Sequence, residues 1–431
     1  MKRSAFGTLA MLVTACGTSS GSSAPAGANV GDAQADAGGL SPNGDRPTCG
    51  SGGGTGGTPQ PRGDVAGALD TTSGRLVLFG GDTAVPACPI ASAHTHVGDT
   101  WLLETGCGDF RQVAGDGPPA RSRHAMALNA AQNRAIMFGG RTRAGANGAY
   151  TLFSDVWAFD FASEAWQKFD VAGSGPRGRA NTAVVVDGIG NQLVMFGGND
   201  DPSGTAFHPL DDTWVMDLAT GAWRALAPRK KPPARLFHAM AIDADARVAY
   251  LYSGGDDRAF TGPFFTDVWA LDLAAEDWRE IPTAGDAPLG RTSHGIAYDA
   301  VKKRIVLFGG HEDSLVGNMN DVRALDVSGT PAQWSKVSTG DQANKPANGQ
   351  CNFPPDFTVV DKSSPERRSA YAFATRVDGR AFVVYGGKSD CGLVGDSWWW
   401  SNGSERWSPV KSSPVGLSCV RTKTTCAGLC G

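Results

Sequence analysis

The chain has 431 residues with 43 acidic and 39 basic side chains, a formal net charge of −4. That balance leaves no basic footprint for nucleic acid. Its hydrophobic content of 41% is ordinary for a globular domain, and no stretch approaches ~18 consecutive apolar residues, which argues against a transmembrane helix.

The chain opens with Met1-Lys2-Arg3, an apolar run over 5–13 and the small-residue stretch Val13-Thr14-Ala15-Cys16. A basic start, an apolar core and small residues before a processing point describe an export signal over 1–16. The final cysteine resembles a bacterial lipobox, which implies lipidation at Cys16. Ordinary cleavage nearby would leave it unmodified. Residues 17–60 are rich in Gly, Ala, Ser and Asp. They cannot bury a core and read as a disordered tether, reaching ~35–40 Å on average.

From residue 61 one pattern occurs six times. Each copy starts at an arginine: Arg62, Arg121, Arg179, Arg235, Arg291 and Arg368. A Gly-Gly pair follows, beginning at Gly80, Gly139, Gly197, Gly254, Gly309 and Gly386, 18 residues on in five copies and 19 in the fourth. Self-similarity at a period of about 50 residues predicts a propeller or a solenoid. Four strands are expected per copy. Strand A starts just after the arginine. Strand B is the apolar run before Gly-Gly, such as Ile305-Val306-Leu307-Phe308, and suits burial on both faces. Strand C starts at Asp99, Asp155, Asp212, Asp267, Asp321 and Asp396, with Trp two residues later except for Arg323 in the fifth copy. Strand D starts near Phe110, Trp166, Trp223, Trp278, Trp334 and Trp407. Alternate positions of strand A are small in nearly every copy, as at Ala125 and Ala127. Small side chains on one strand face imply crowding near an axis, and the bulky Trp residues belong where sheets splay apart.

The Gly-Gly pair, the spaced aromatic and the closing Trp resemble the kelch repeat. The resemblance covers about residues 61–410, roughly four-fifths of the chain. It implies an all-β, six-bladed kelch-type propeller with four antiparallel strands per blade. A Cys-rich tail, 411–431, follows.

Alternating strand direction puts the six arginines on the face with the B–C and D–A loops, near the channel mouth. One reading is a ring that captures an anionic ligand or acidic peptide. The other is pairing with acidic residues after the Gly-Gly pairs, such as Asp82, Asp200 and Asp256, on neighbouring blades. Three residues past the arginines sit His124, His238, His294 and Tyr371. They read as partners for backbone groups of the adjacent blade rather than as metal ligands. His94-Thr95-His96 reads as ordinary loop histidine. The B–C loops carry the aromatics Tyr150, Phe207, Phe260, Phe264 and Phe265, of which Phe264 and Phe265 are the best candidates for a sticky contact. Eight cysteines besides Cys16 suit disulfides in an exported chain. Cys351 with Cys391 is the favoured pair and Cys88 with Cys107 a weaker one. Cys49, Cys419, Cys426 and Cys430 would join the tether to the tail, with a small zinc site as the alternative for the tail.

The reading is a monomeric lipoprotein of the bacterial cell envelope, outside the cytoplasm, that binds a protein or glycan through its loop face. No catalytic residue, cofactor, metal or nucleic acid is expected. The alternative is a carbohydrate-active enzyme, sialate epimerase-like or galactose oxidase-like, with its site at the channel mouth.

Overall fold

The computed structural model describes residues 46–48, 56–70, 72–84, 94–145, 148–259, 261–312, 316–343, 358–389 and 392–412. Six four-stranded antiparallel sheets, each built from one repeat, form the blades; the fifth gains a short parallel strand, Thr283–Gly285, beside its strand D, Ala332–Ser338. In blade 1 strands A to D are Ala66–Leu69, Arg75–Phe79, Thr100–Glu104 and Asp109–Val113. In blade 6 they are Ala372–Thr375, Ala381–Tyr385, Ser397–Ser401 and Arg406–Lys411. Among the described residues neither sheet borrows a strand from the other end of the chain, and packing and hydrogen bonds cross the blade 6–blade 1 seam.

The core is a set of layers between blades. One layer packs Leu78 and Trp101 of blade 1 on Val383 and Trp399 of blade 6. The other five seams have their own apolar clusters. The strands of type A are innermost and follow one another around the axis. A Cβ on Gly295 would fall 2.2 Å from the ring of Phe373 in the next blade's strand A, which is the crowding the small residues accommodate.

Each seam carries an aromatic lock. The residue that ends strand B of one blade meets the ring that opens strand D of the next. Centroids are 5.2 Å apart for Phe79 and Trp166, 4.6 Å for Phe308 and Trp407, and 5.5 Å for Tyr385 and Phe110 at the closing seam. Phe110 therefore fills the place of the missing Trp. Indole N–H groups fare unequally. Trp166 and Trp278 donate to Thr100 and Thr213 of the preceding blade at 2.8 and 2.9 Å. At the equivalent positions Val156 and Val322 offer no acceptor, and Trp223 and Trp407 have buried, unpartnered Nε1 atoms. Where the closing ring is Phe110, the Oγ of Ser397 is unpartnered instead. Val156→Thr should supply Trp223 with its acceptor and stabilise the chain by about 1 kcal/mol. An unchanged or lower urea midpoint would show that the indole gains nothing there.

The histidines three residues past the arginines also cross the seams. His124, His238 and His294 are buried beside the carbonyls of Phe79, Phe196 and Tyr252, with neither ring nitrogen in hydrogen-bond geometry. In blade 6 the Tyr371 hydroxyl takes that place and donates to the Phe308 carbonyl at 2.6 Å. Burial drives the pKa of His124 and His238 down to about 3 and that of His294 well below its usual value.

The expected tether lies mostly outside the described residues, as do the export signal over 1–16 with Cys16 and residues 413–431 of the tail. Within the expected tether, Arg46 and Pro47 contact blade 1, and Pro59 is buried.

Candidate functional site

The six arginines do not line a surface. Each is at most 2% exposed. In blade 4, Arg235 forks onto Asp267 at 2.7 and 2.6 Å, donates to the Ser253 carbonyl at 3.0 Å and through Nε to the Pro233 carbonyl at 3.1 Å. The same fork joins Arg62 to Asp99, Arg121 to Asp155, Arg179 to Asp212, Arg291 to Asp321 and Arg368 to Asp396. The arginine ring expected to capture an anion is thus consumed by the fold: each guanidinium ties the start of strand A to the start of strand C in its own blade. Nor do the arginines pair with the acids after Gly-Gly. Asp82 bonds His94, Asp200 bonds His208 and Asp256 bonds Arg258.

The fork has a further donor. Trp101, Trp157, Trp214, Trp269 and Trp398 each give an indole N–H to the same aspartate, two residues before them. In blade 5, Arg323 gives its Nε–H to Asp321 at 2.9 Å, so the departure from Trp preserves the bond. The irregular spacing of blade 4 also resolves. The Ser253 carbonyl lies 18 residues from Arg235, like Gly80 from Arg62. Ser253, with φ 60°, is the first member of the pair, and Gly254, with φ 96°, is the second.

Two residues past each arginine the backbone turns left-handed, with φ from 53° to 60° at Asp64, Arg123, Asn181, Phe237, Ser293 and Ala370. Each of these N–H groups donates to the carbonyl of its counterpart one blade back, from Arg123 to Asp64 at 3.0 Å around to Asp64 to Ala370 at 2.7 Å. The hydrogen bonds form a closed circle and frame the mouth of the axis.

The side chains at this mouth come from several blades. Asp64 is paired with Lys388 at 2.6 Å and with Arg123 at 3.3 Å. Burial alone would raise its pKa, but Arg123, Lys388 and Arg141 hold it far below the usual carboxylate range. Tyr150 lies between two guanidiniums, 3.8 Å from Arg141 and 4.4 Å from Arg143. His94 bonds Asp82 and stacks on His96 at 5.7 Å. Burial lowers the pKa of His96 to about 4, so it is neutral at pH 7. Burial, with Arg123 adding, brings Arg141 down to about 9, still charged at pH 7. Several buried polar atoms here have no hydrogen-bond partner: both amide atoms of Asn181, both ring nitrogens of His96, and the Nε of Arg141 and of Arg143. Unpaired buried donors are costly unless a ligand or water completes them.

Phe264 and Phe265 are both half-buried. Phe265 covers the Arg235 guanidinium at 4.1 Å and donates its N–H to the Gly254 carbonyl, so it packs on its own blade. Phe153 does the same over Arg121 at 3.8 Å. Phe207 packs on Phe237. Cys107, in the C–D turn of blade 1, is disulfide-bonded. Cys49, Cys88, Cys351, Cys391, Cys419, Cys426, Cys430 and Phe260 lie outside the described residues.

Sequence reasoning missed Arg123, Arg141, Arg143, Asn181 and Lys388. One signal was readable. The residue after Gly-Gly is Asp82 in blade 1 but Arg141 in blade 2 and Lys388 in blade 6, a change of charge sign at one structural position.

Comparison with known proteins agrees with this architecture. A family model described as the KLHDC2/KLHL20/DRC7 kelch-repeats domain matches residues 53–255 and 246–429. Kelch domain-containing protein 10 of Bos taurus and that of Homo sapiens are each 29% identical over 232 residues, 52% of this chain and 49% of theirs. Adagio-like protein 3 of Oryza sativa subsp. japonica is 29% identical over 179 residues, 41% of this chain and 26% of its own. The chain thus spans about half the length of the first of these relatives and a quarter of the second. With both halves of the propeller matched, the chain belongs to the KLHDC2/KLHL20/DRC7 kelch-repeats domain family.

Proposed function

We propose that this propeller is a binding scaffold that takes an acidic segment of a partner protein at the mouth of its axis, on the B–C and D–A loop face. The observation that carries the reading is the set of buried, unpartnered donors there, the Asn181 amide and the Nε of Arg141 and Arg143, beside the cations Arg123 and Lys388. A carboxylate could accept from several of them at once. A glycan partner is less well served, because both guanidiniums lie against Tyr150, the aromatic that would otherwise offer a sugar-stacking face. A carbohydrate-active enzyme fits less well too: the mouth carboxylates Asp64 and Asp82 are already held by Lys388, Arg123 and His94. Met1-Lys2-Arg3 and the stretch ending at Cys16 support export and lipid anchoring in the cell envelope, which requires a mature chain that begins at an acylated Cys16.

The test is fluorescence anisotropy with a labelled oligoglutamate peptide and with an oligoglutamine control. Wild-type protein should bind the acidic peptide, more weakly as salt rises, and Arg143→Glu should weaken binding at least tenfold while leaving circular dichroism unchanged. Equal affinity for the two peptides, or for the two proteins, would overturn the assignment.

A further inference from the structure

We propose that Arg46 is the latch of the ring, a strap residue that closes the blade 6–blade 1 seam in place of a shared strand. At three other seams the chain leaving strand D of one blade runs on into the next and lies against its outer edge. The Ala172 N–H donates to the Gly221 carbonyl between blades 2 and 3. Arg229 bonds Asp277 through backbone and side chain between blades 3 and 4. Thr283–Gly285 pairs with Ala332–Ser338 between blades 4 and 5. Blade 6 is the last repeat, and among the described residues no segment runs from its strand D onto blade 1.

Arg46 arrives at that place from the other direction. Its Nε donates to the Thr105 carbonyl at 2.7 Å and its Nη2 to the Gly106 carbonyl at 3.2 Å, both in the C–D turn of blade 1. Its Nη1 donates to the Pro409 carbonyl at 3.0 Å, on the outermost strand of blade 6. One planar guanidinium thus spans two blades and satisfies an edge-strand carbonyl that would otherwise face solvent. Pro47 seats the strap on the A–B turn: a Cβ at Gly74 would lie 2.2 Å from the Pro47 ring. Beneath it blade 1 meets blade 6 closely, since a Cβ on Gly108 would lie 2.2 Å from the Val410 carbonyl. The loop-face end of the same seam holds the Asp64–Lys388 ion pair and the Asp64–Ala370 hydrogen bond. Latch and mouth are therefore two ends of one closure, on opposite faces of the propeller.

Hydrogen exchange read by mass spectrometry on the full chain tests this without any ligand. Arg46→Ala should speed exchange at least tenfold in 105–113 and 406–411 while blades 3 and 4 keep wild-type protection. Arg46→Lys, which cannot span three carbonyls, should fall between the two and serves if the alanine variant does not fold. Arg229→Ala, at a seam the chain crosses covalently, is the control and should leave 105–113 and 406–411 unchanged. Wild-type exchange at the 6–1 seam in Arg46→Lys and Arg46→Ala, or faster exchange spread evenly over all six blades, would overturn the latch.

Discussion

Arg235→Ala should cost about 3–5 kcal/mol of stability, among the largest losses expected from a single side chain of this propeller and shared by its five counterparts. The arginine is fully buried, and its removal strands the Asp267 carboxylate, the Ser253 carbonyl and the Pro233 carbonyl together. A buried ion pair adds little over an apolar pair, but half of one is expensive, because the remaining carboxylate keeps only the Trp269 indole N–H and partial contact with water. Arg235→Lys should recover only part of the loss, since an ammonium cannot fork onto two carboxylate oxygens and also reach two carbonyls. Asp267→Asn should fall between wild type and Arg235→Ala, because the amide still offers one acceptor. Urea midpoints at pH 7 for these variants and for Arg235→Ala/Asp267→Asn give the coupling between the two residues. A loss below about 1 kcal/mol in Arg235→Ala would mean that water reaches the site and that the arginines are spacers rather than ties.

That arginine fork also marks where sequence reading succeeded and where it stopped. The arginines and strand C aspartates were both visible as six-fold recurrences. Their pairing was hidden because the B–C loop between them varies: 37 residues separate Arg62 from Asp99, and 28 separate Arg368 from Asp396. Ser253 obscured the constant spacing for a simpler reason, that a glycine pair was sought by residue type while the structure needs only a left-handed backbone there. The circle of hydrogen bonds at the mouth was not legible at all. Asp64, Arg123, Asn181, Phe237, Ser293 and Ala370 share no side-chain chemistry, only a φ near 55°. Blade count, strand order and the small inner strand were legible because they depend on burial, which repeats in the sequence wherever it repeats in space. The mouth depends on ring closure, which brings Asp64 to Lys388 across 324 residues.

The aromatic locks, the arginine forks and the buried histidines separate two kinds of repeated residue. Those that hold one blade together recur in all six copies, as the arginine and its aspartate do. Those that act across a seam vary by blade: the slot three residues past the arginine holds Val65, Thr182, Tyr371 or a histidine. Thr182 bonds the Phe196 carbonyl of its own blade, whereas Tyr371 reaches the previous blade. The His slot is therefore tolerant in shape but not neutral in charge.

Acid should unfold this protein well above the range where its carboxylates titrate. His124 and His238, with pKa values of about 3, and His294, also far depressed, stay unprotonated in the fold, whereas in the unfolded chain each takes up a proton near pH 6.5. The unfolded state therefore binds more protons between about pH 3 and 6.5. The contribution of these groups is fully present above pH 6.5 and is lost as the pH falls. Three protons give a limiting slope of about 4 kcal/mol per pH unit in the middle of that window. His96, partly buried with a pKa of about 4, adds a smaller share. Depressed carboxylates such as Asp155 and Asp321 act in the same direction but only below about pH 4, where their unfolded counterparts titrate. Urea midpoints at half-unit steps from pH 7.5 to 4.5 should fall steeply below pH 6. Replacing His124 and His238 by Thr and His294 by Tyr, the residues other blades place in that slot, should remove most of the slope above pH 4.5 while the pH 7 midpoint changes far less. Stability that stays level from pH 7 to 5 in the wild type would mean that the imidazoles are protonated in place, with water at the seams.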